Sequence, residues 1–189
     1  NKEFKIMKQE LNKLFGELKD IDYCIARNYE FLLNKEKYKQ DLDIILLSKD
    51  KAKVDTILKE NNYRHAATLF KQEKYHKKAK LHLHFDAIYY HRLPYLLAST
   101  ILTNKKKLKN FYIPSNEDLI IELTLHSIFR KRFKQKYKDI IKKLTKTANF
   151  QYIEKVLTKT FSSKLAKQLT AQIKQLNYKA LINMRRHCF

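Results

Sequence analysis

The sequence has 189 residues, of which 41 are Lys or Arg and 19 are Asp or Glu, so the formal net charge is +22. Its hydrophobic share of 44%, with 12% aromatic residues, is enough to bury a core, which excludes a wholly disordered chain. A single glycine excludes glycine-rich phosphate loops, and with only two prolines it disfavours a turn-rich sandwich or barrel.

The first half of the chain predicts a small sheet behind an N-terminal helix. Apolar residues recur there first at helical spacing and then in strand-like runs or alternation. In chain order we expect a helix at 2–19, a strand at 20–26, a loop or short helix at 28–40, a strand at 41–47, a short helix at 54–62, a strand at 63–70, a charged connection at 71–80 and a strand at 81–90.

The second half predicts helices. We expect a helix at 93–102, a basic loop at 103–110, an extended stretch at 111–113 and helices at 135–146, 149–158 and 161–177. The clearest helix begins after Ser115, which stands three residues before Asp118 as in a capping box. The change of pattern near residue 112 predicts two domains, an α/β domain at 1–112 and a helical domain at 113–189.

Carboxylates are scarce, and two of them stand at the start of the best strand. Asp41 and Asp43 alternate with apolar residues, so both side chains lie on one face with Cα atoms about 6.5 Å apart. Two such carboxylates repel each other unless a cation lies between them, and their hard oxygens suit Mg²⁺ or Mn²⁺. Asp86, within the strand at 81–90, is the candidate third ligand of a two-metal site.

Other interpretations of these residues remain open at this point. Asp41 is also a suitable turn residue, Asp43 a suitable partner for a lysine, and Asp86 a suitable solvent-facing residue of an edge strand. His82 and His84 share the face of Asp86 by alternation, so the three could form a zinc site, line a phosphate-binding cleft or simply lie on the surface.

Several motifs in order carry a resemblance to a known superfamily. They are Ile25-Ala26-Arg27-Asn28-Tyr29, Asp41-Leu42-Asp43-Ile44-Ile45-Leu46, Leu83-His84-Phe85-Asp86, Phe111-Tyr112-Ile113-Pro114-Ser115 and Leu123-Thr124-Leu125-His126-Ser127. Over about residues 20–145 the chain resembles the nucleotidyltransferase superfamily typified by polymerase-beta-like enzymes. It is most similar to the uncharacterised nucleotidyltransferase family associated with surface-polysaccharide genes.

The resemblance implies an α+β fold, with a mixed sheet and flanking helices followed by a helical C-terminal subdomain. It implies transfer of a nucleotidyl group from a nucleoside triphosphate to RNA or to a sugar or lipid-linked acceptor, with Mg²⁺ or Mn²⁺. Asp41, Asp43 and Asp86 would then hold the metals, and Asp86 would help to deprotonate the acceptor.

The chain departs from the superfamily where Arg27-Asn28 replaces Gly-Ser, the pair that normally holds the triphosphate. Arg27 and Asn28 can still bind phosphate oxygens, and His84, Arg130 and Arg132 are further candidates for contact with the nucleotide. The alternative function is a non-catalytic, basic nucleic-acid-binding protein on a degenerate form of the same fold.

Charge and cysteine usage predict the setting. The densest basic clusters alternate with Tyr and Phe, a combination typical of proteins that bind RNA or another polyanion, although aromatic residues at helix spacing are more often core. No apolar run is long enough to span a bilayer, but a basic surface could contact a membrane peripherally.

Cys24 and Cys188 lack metal-site spacing, so we expect a reducing, cytoplasmic setting. The chain starts at Asn1 rather than Met, which is consistent with a trimmed sequence.

Overall fold

The computed structural model describes residues 2–33 and 41–188, and it has a five-stranded mixed sheet at its centre. The strand order is β1-β2-β5-β4-β3, in which β2 and β5 run parallel and the other neighbours antiparallel. These strands are β1 (Cys24–Arg27), β2 (Leu42–Leu46), β3 (Arg64–Leu69), β4 (Gln72–His76) and β5 (Lys80–Phe85).

Two short hairpins and a set of helices surround this sheet. The hairpins are β6 (Ala87–Tyr90) with β7 (Leu93–Leu97) and β8 (Lys106–Leu108) with β9 (Phe111–Ile113). The helices are α1 (Lys2–Glu17), α2 (Glu30–Leu33), α3 (Lys51–Glu60), α4 (Ala98–Asn104), α5 (Asn116–Phe129), α6 (Gln135–Leu144), α7 (Phe150–Leu157), α8 (Ser163–Lys174) and α9 (Tyr178–Asn183). The predicted α+β class, with a mixed sheet and a helical C-terminal part, is confirmed.

Helix α5 lies at the centre of the molecule because its sequence is apolar on almost every side. It contacts β1, α6, α7 and α9, and most of its residues are buried. The Ser115 cap is confirmed, since its hydroxyl oxygen accepts a hydrogen bond of 3.0 Å from the backbone N–H of Asp118.

The buried core extends across residue 112. One hydrophobic cluster contains Tyr23 and Phe111 from the first predicted domain and Leu119 from the second. The boundary between residues 112 and 113 therefore stays a prediction, and the two parts of the chain share the site described below.

The predicted connection at 71–80 is wrong, because residues Gln72–His76 form β4. The alternation is hidden in the sequence since β4 carries charged residues on both faces. Glu73 is buried and binds Lys51 at 2.5 Å and His65 at 2.7 Å, whereas Lys74 lies on the opposite face. Polar partners on the other elements stabilise a strand that has no apolar stripe of its own.

The predicted strand at 81–90 is divided into β5 and β6 by Asp86, whose φ of 67° lies in the left-handed region and interrupts the extended backbone. The predicted helix at 93–102 begins only at Ala98, because Leu93–Leu97 pairs with β6 instead. The basic loop at 103–110 contains β8. In all three segments the secondary structure depends on pairing with a neighbouring segment, and the local sequence pattern does not reveal that pairing.

Among the residues that the structure describes, no helix combines the length and the apolar character needed to cross a lipid bilayer. The segment at 28–40, predicted as a loop or short helix, contains the short helix α2, and its residues 34–40 lie outside the described part. The single glycine, Gly16, is exposed on α1, where an added Cβ would meet nothing within 4 Å.

Candidate functional site

Asp43 is the second residue of β2 and is only 2% exposed. Because β2 and β5 are parallel, the residue directly opposite Asp43 is His82, and His84 is the next residue of β5 on that face. We call the group formed by Asp43, His82, His84, Arg27 and Glu122 the Asp43 cluster.

Arg27, the last residue of β1, binds Asp43 with two of the three nitrogens of its guanidinium. Its Nε donates to Asp43 Oδ2 and its Nη2 to Asp43 Oδ1, each at 2.8 Å. Burial disfavours the Asp43 carboxylate, but the charge of Arg27 and hydrogen bonds from two histidines outweigh it and hold the pKa of Asp43 well below its usual range. Asp43 is therefore ionised and already paired.

The third guanidinium nitrogen of Arg27, Nη1, points to helix α5. It donates to a carboxylate oxygen of Glu122 and to Nδ1 of His126. Since a guanidinium can only donate, Nδ1 of His126 must be unprotonated, and burial lowers the pKa of His126 to about 3. Burial also raises the pKa of Glu122 to about 7, and its second oxygen, Oε2, has no hydrogen-bond partner among the described residues.

The two histidines of β5 approach Asp43 from the neighbouring strand. Nε2 of His84 lies 3.0 Å and Nδ1 of His82 3.3 Å from Oδ1 of Asp43. His84 is buried, which lowers its pKa to about 4 and keeps it neutral. One ligand atom from each of Asp43, His82 and His84 lies within 4.8 Å of the others, so the three could hold a metal ion.

The orientation of His82 favours a cation at this position. Its Nε2 lies 2.8 Å from Oε1 of Gln72, an oxygen that can only accept, so Nε2 carries the proton. In a neutral ring, Nδ1 would then direct a lone pair at an oxygen of Asp43. Such an arrangement needs a positive charge between the two atoms, either a proton on Nδ1 or a metal ion. Metal-binding histidines commonly donate their second N–H to a partner such as Gln72.

Asn28 connects the turn after β1 to the two acids. Its φ of 65° is left-handed, a conformation in which Asn is enriched among residues with a side chain. The side-chain amide donates to the backbone oxygen of Asp41 at 2.9 Å and to Oδ2 of Asp43 at 3.1 Å. Asn28 thus fixes the start of β2 next to β1.

A cavity of about 460 Å³ opens in front of these residues. The structure brings together six of the predicted site residues in its lining, namely Arg27, Asn28, Asp41, Asp43, Arg130 and Arg132. Two lysines that were not among the predicted site residues, Lys74 and Lys134, join them. Burial and then the charges of Arg27 and Arg132 lower the pKa of Lys134, which indicates a crowded positive field. His84 lies behind Asp43 and does not line the cavity.

Asp86 lies elsewhere. It follows the last paired residue of β5 and stands four residues, or about 13 Å of strand, beyond the position opposite Asp43. Its carboxylate accepts hydrogen bonds from the backbone N–H of Ser48 at 2.8 Å and from Lys71 at 3.0 Å, and also from the Ser48 hydroxyl. Burial opposes ionisation of Asp86, but these bonds outweigh it and lower the pKa. The expected convergence of Asp41, Asp43 and Asp86 is not found among the described residues.

Sequence reasoning missed Glu122 as part of the site. It is a single acid within the apolar run Leu119–Leu125 of α5, and a carboxylate fully buried on such a helix needs a partner. That isolated charge was the available signal. His82 was among the alternatives that the sequence offered, as a possible zinc ligand with His84 and Asp86, and the structure places it with His84 next to Asp43 instead.

Comparison with solved structures shows a fold similar to that of a nucleotidyltransferase. The antibiotic-resistance factor ANT(2'')-Ia, a nucleotidyltransferase, matches over 97% of this chain and 98% of its own, with a TM-score of 0.59 and 10% identity. JHP933 from Helicobacter pylori matches over 98% of this chain and 94% of its own, with a lower TM-score of 0.46 and 9% identity. No protein-family model and no curated protein matches the sequence. The chain therefore has a nucleotidyltransferase-type fold.

Proposed function

We propose that the chain is a nucleotidyltransferase, which transfers a nucleotidyl group from a nucleoside triphosphate to an acceptor hydroxyl. The observation that supports this most directly is the cavity itself. Asp43 of β2 and Asp41, which directly precedes that strand, line it together with Arg130 and Arg132, on a fold like that of ANT(2'')-Ia. A triphosphate needs such a positive surface, and metal-dependent phosphoryl chemistry needs acids beside it.

The donor set fits one divalent ion better than a pair held by carboxylates alone. Asp43, His82 and His84 would hold it, and the mixed oxygen and nitrogen ligands suit Mn²⁺ or Zn²⁺ more than Mg²⁺. When bound, such an ion polarises a phosphoryl oxygen and offsets developing negative charge. Arg27 would keep a partner, because the unpartnered Oε2 of Glu122 offers a second acceptor for the guanidinium.

The cavity walls would hold the triphosphate. Four basic residues line the opening and would neutralise phosphate oxygens, namely Lys74, Arg130, Arg132 and Lys134. The sequence predicted this role for Arg27 and Asn28. Asp41 lines the same cavity, one residue before β2 begins. We assign to Asp41 the acceptance of the proton from the acceptor hydroxyl, which the resemblance gave to Asp86.

The test is a transfer assay with labelled nucleoside triphosphates and Mg²⁺, Mn²⁺ or Zn²⁺ in turn, on wild type and on the double variant Asp41→Asn, Asp43→Asn. We expect product only with wild type, and most with Mn²⁺ or Zn²⁺. Asp139→Asn, on the exposed side of α6, is the matched control and should keep full activity. Full activity in the double variant would overturn the proposal.

One observation favours a second candidate function, non-catalytic binding of nucleotides or nucleic acid. Arg27 already supplies Asp43 with a positive charge at 2.8 Å, so the site is charge-balanced without a metal ion. If this is the function, wild type will bind nucleoside triphosphate equally well with EDTA, and no ion will support transfer.

A further inference from the structure

A second cavity of about 610 Å³ adjoins the first. The two share Lys74, His82 and Arg130 in their linings, so they form one continuous depression along the exposed side of β4 and β5. The nucleotidyl-transfer proposal uses only the first cavity. Its neighbour has a different chemical character, which indicates a different ligand or a different part of the same ligand.

Aromatic side chains dominate the far end of the second cavity. Phe70 stands at the tip of the β3–β4 hairpin and is 49% exposed, and its ring contacts Tyr89 edge to face with centroids 5.3 Å apart. Leu69 and Phe70 are the large apolar side chains that the described part of the chain leaves exposed. An exposed phenylalanine at a cavity rim costs free energy in water and gains it when a flat apolar group covers the ring.

Basic side chains accompany these rings. Lys74, Arg92 and Arg130 line the second cavity, and the described residues contribute no carboxylate to it. Aromatic rings beside cations suit a nucleic-acid strand, in which flat bases alternate with phosphates. Gln72 and Tyr89 in the lining also offer neutral hydrogen-bonding groups, but the cations favour a ligand that carries phosphates over a neutral sugar. A phospholipid surface would need a broader apolar face than one hairpin tip.

We propose that the second cavity binds single-stranded nucleic acid, with a base stacked on Phe70 and the phosphates on Arg92, Lys74 and Arg130. Its role as the acceptor rests on the proposed function. In that role the hydroxyl oxygen at the strand end bonds to the α-phosphorus of the triphosphate. The bond from that phosphorus to the pyrophosphate oxygen breaks, pyrophosphate leaves, and the hydroxyl proton passes to Asp41.

The test measures fluorescence anisotropy of an end-labelled single-stranded RNA octamer, an abasic octamer of the same charge, and an RNA duplex. Stacking contributes about 1–3 kcal/mol per base, so Phe70→Ala should weaken binding of the octamer by about 5- to 150-fold and leave the abasic octamer unaffected. Phe150→Ala removes a partly buried ring on helix α7 that lines neither cavity, and this control should change neither affinity. Arg92→Gln should weaken all three ligands and reduce the salt slope by about 1, whereas Arg186→Gln, also exposed, should not.

The inference is overturned if wild type binds the duplex or the abasic octamer as tightly as the octamer, or if Phe70→Ala weakens the octamer and its abasic counterpart equally. Failure of the proposed function is distinguishable from this. RNA binding that depends on Phe70, without any nucleotidyl transfer, supports the binding site and removes only the transferase. Transfer to another acceptor without RNA binding removes only this inference.

Discussion

Two acids that the sequence marks as equivalent lie in contrasting surroundings. Asp43 is buried at the centre of the Asp43 cluster, where it accepts two hydrogen bonds from Arg27 and lies next to two histidines. Asp86 is partly exposed in a left-handed turn, where Ser48 and Lys71 bind it. We call the latter group the Asp86 turn. The difference shows that register between strands, rather than the presence of an acid in a strand-like run, decides which carboxylates share a site.

The two groups should therefore respond differently to loss of their cations. Arg27→Met leaves Asp43 and Glu122 buried without a counter-charge, and we expect the free energy of unfolding to fall by about 3–5 kcal/mol. Lys71→Met removes a partner that water readily replaces and should leave the urea midpoint almost unchanged. Equal midpoints for the two variants in urea unfolding would contradict the contrast.

Activity should separate the acids themselves. Asp43→Asn removes a proposed metal ligand, and we expect nucleotidyl transfer to fall by more than the 10- to 100-fold that loss of an outer partner causes. Asp86→Asn should keep transfer within about threefold of wild type, because Asp86 stands outside the cluster. Steady-state kinetics of both variants, with circular dichroism to confirm folding, provide the comparison. A larger loss in Asp86→Asn would restore Asp86 to the site.

A smaller effect should distinguish the two uses of His82, as metal ligand and as protonated partner of Asp43. Gln72 accepts a hydrogen bond of 2.8 Å from His82 and thereby directs Nδ1 at Asp43. Gln72→Leu should lower the affinity for Mn²⁺ or Zn²⁺ by about 10-fold in calorimetric titration. Gln135→Leu, exposed on α6, should have no effect. If the wild-type protein binds neither metal ion in this titration, a proton rather than a metal ion lies between His82 and Asp43.

The smallest effect is on pH dependence. Burial lowers the pKa of His84 to about 4 and that of His126 to about 3, so both take up protons on unfolding below pH 6.5. Glu122 opposes them, because the folded protein holds its proton up to a pKa of about 7 and the unfolded chain releases it above 4.5. Two protons outweigh one, so the free energy of unfolding should fall by roughly 1 kcal/mol per pH unit from pH 6.5 to 4.5.

His126→Asn tests the pH prediction. It keeps an acceptor for Arg27 but removes one titrating group, so uptake by His84 and release by Glu122 should then nearly cancel. Urea unfolding at several pH values should show a flatter dependence in this variant. An unchanged slope would contradict the assignment of His126 as a neutral acceptor.

The sequence predicted the features that depend on local pattern. The buried strand with Asp41 and Asp43, the cap at Ser115 and the mixed α+β class all follow from periodicity and capping residues. The basic residues Arg130 and Arg132 were expected near the nucleotide, and they line the cavity because α5 ends beside it.

What the sequence could not show depends on pairing between distant segments. Alternation continues from β5 through Asp86 into β6, so nothing local marks the left-handed turn that separates them. Strand β4 has no apolar stripe, and Lys74 reaches the cavity only because β4 pairs with β5. Glu122 needs Arg27 from a segment 95 residues away to explain its burial.

That separation has a consequence for folding. The contact between Arg27 and Glu122 closes a long loop, and the entropy lost in closing it must be recovered from other contacts formed at the same time. We expect the hydrogen-bonded strands to associate before α5 docks, and the charge network to form only as it does. The cavity would then be among the last features of the molecule to be completed during folding, and a ligand that spans it would slow unfolding.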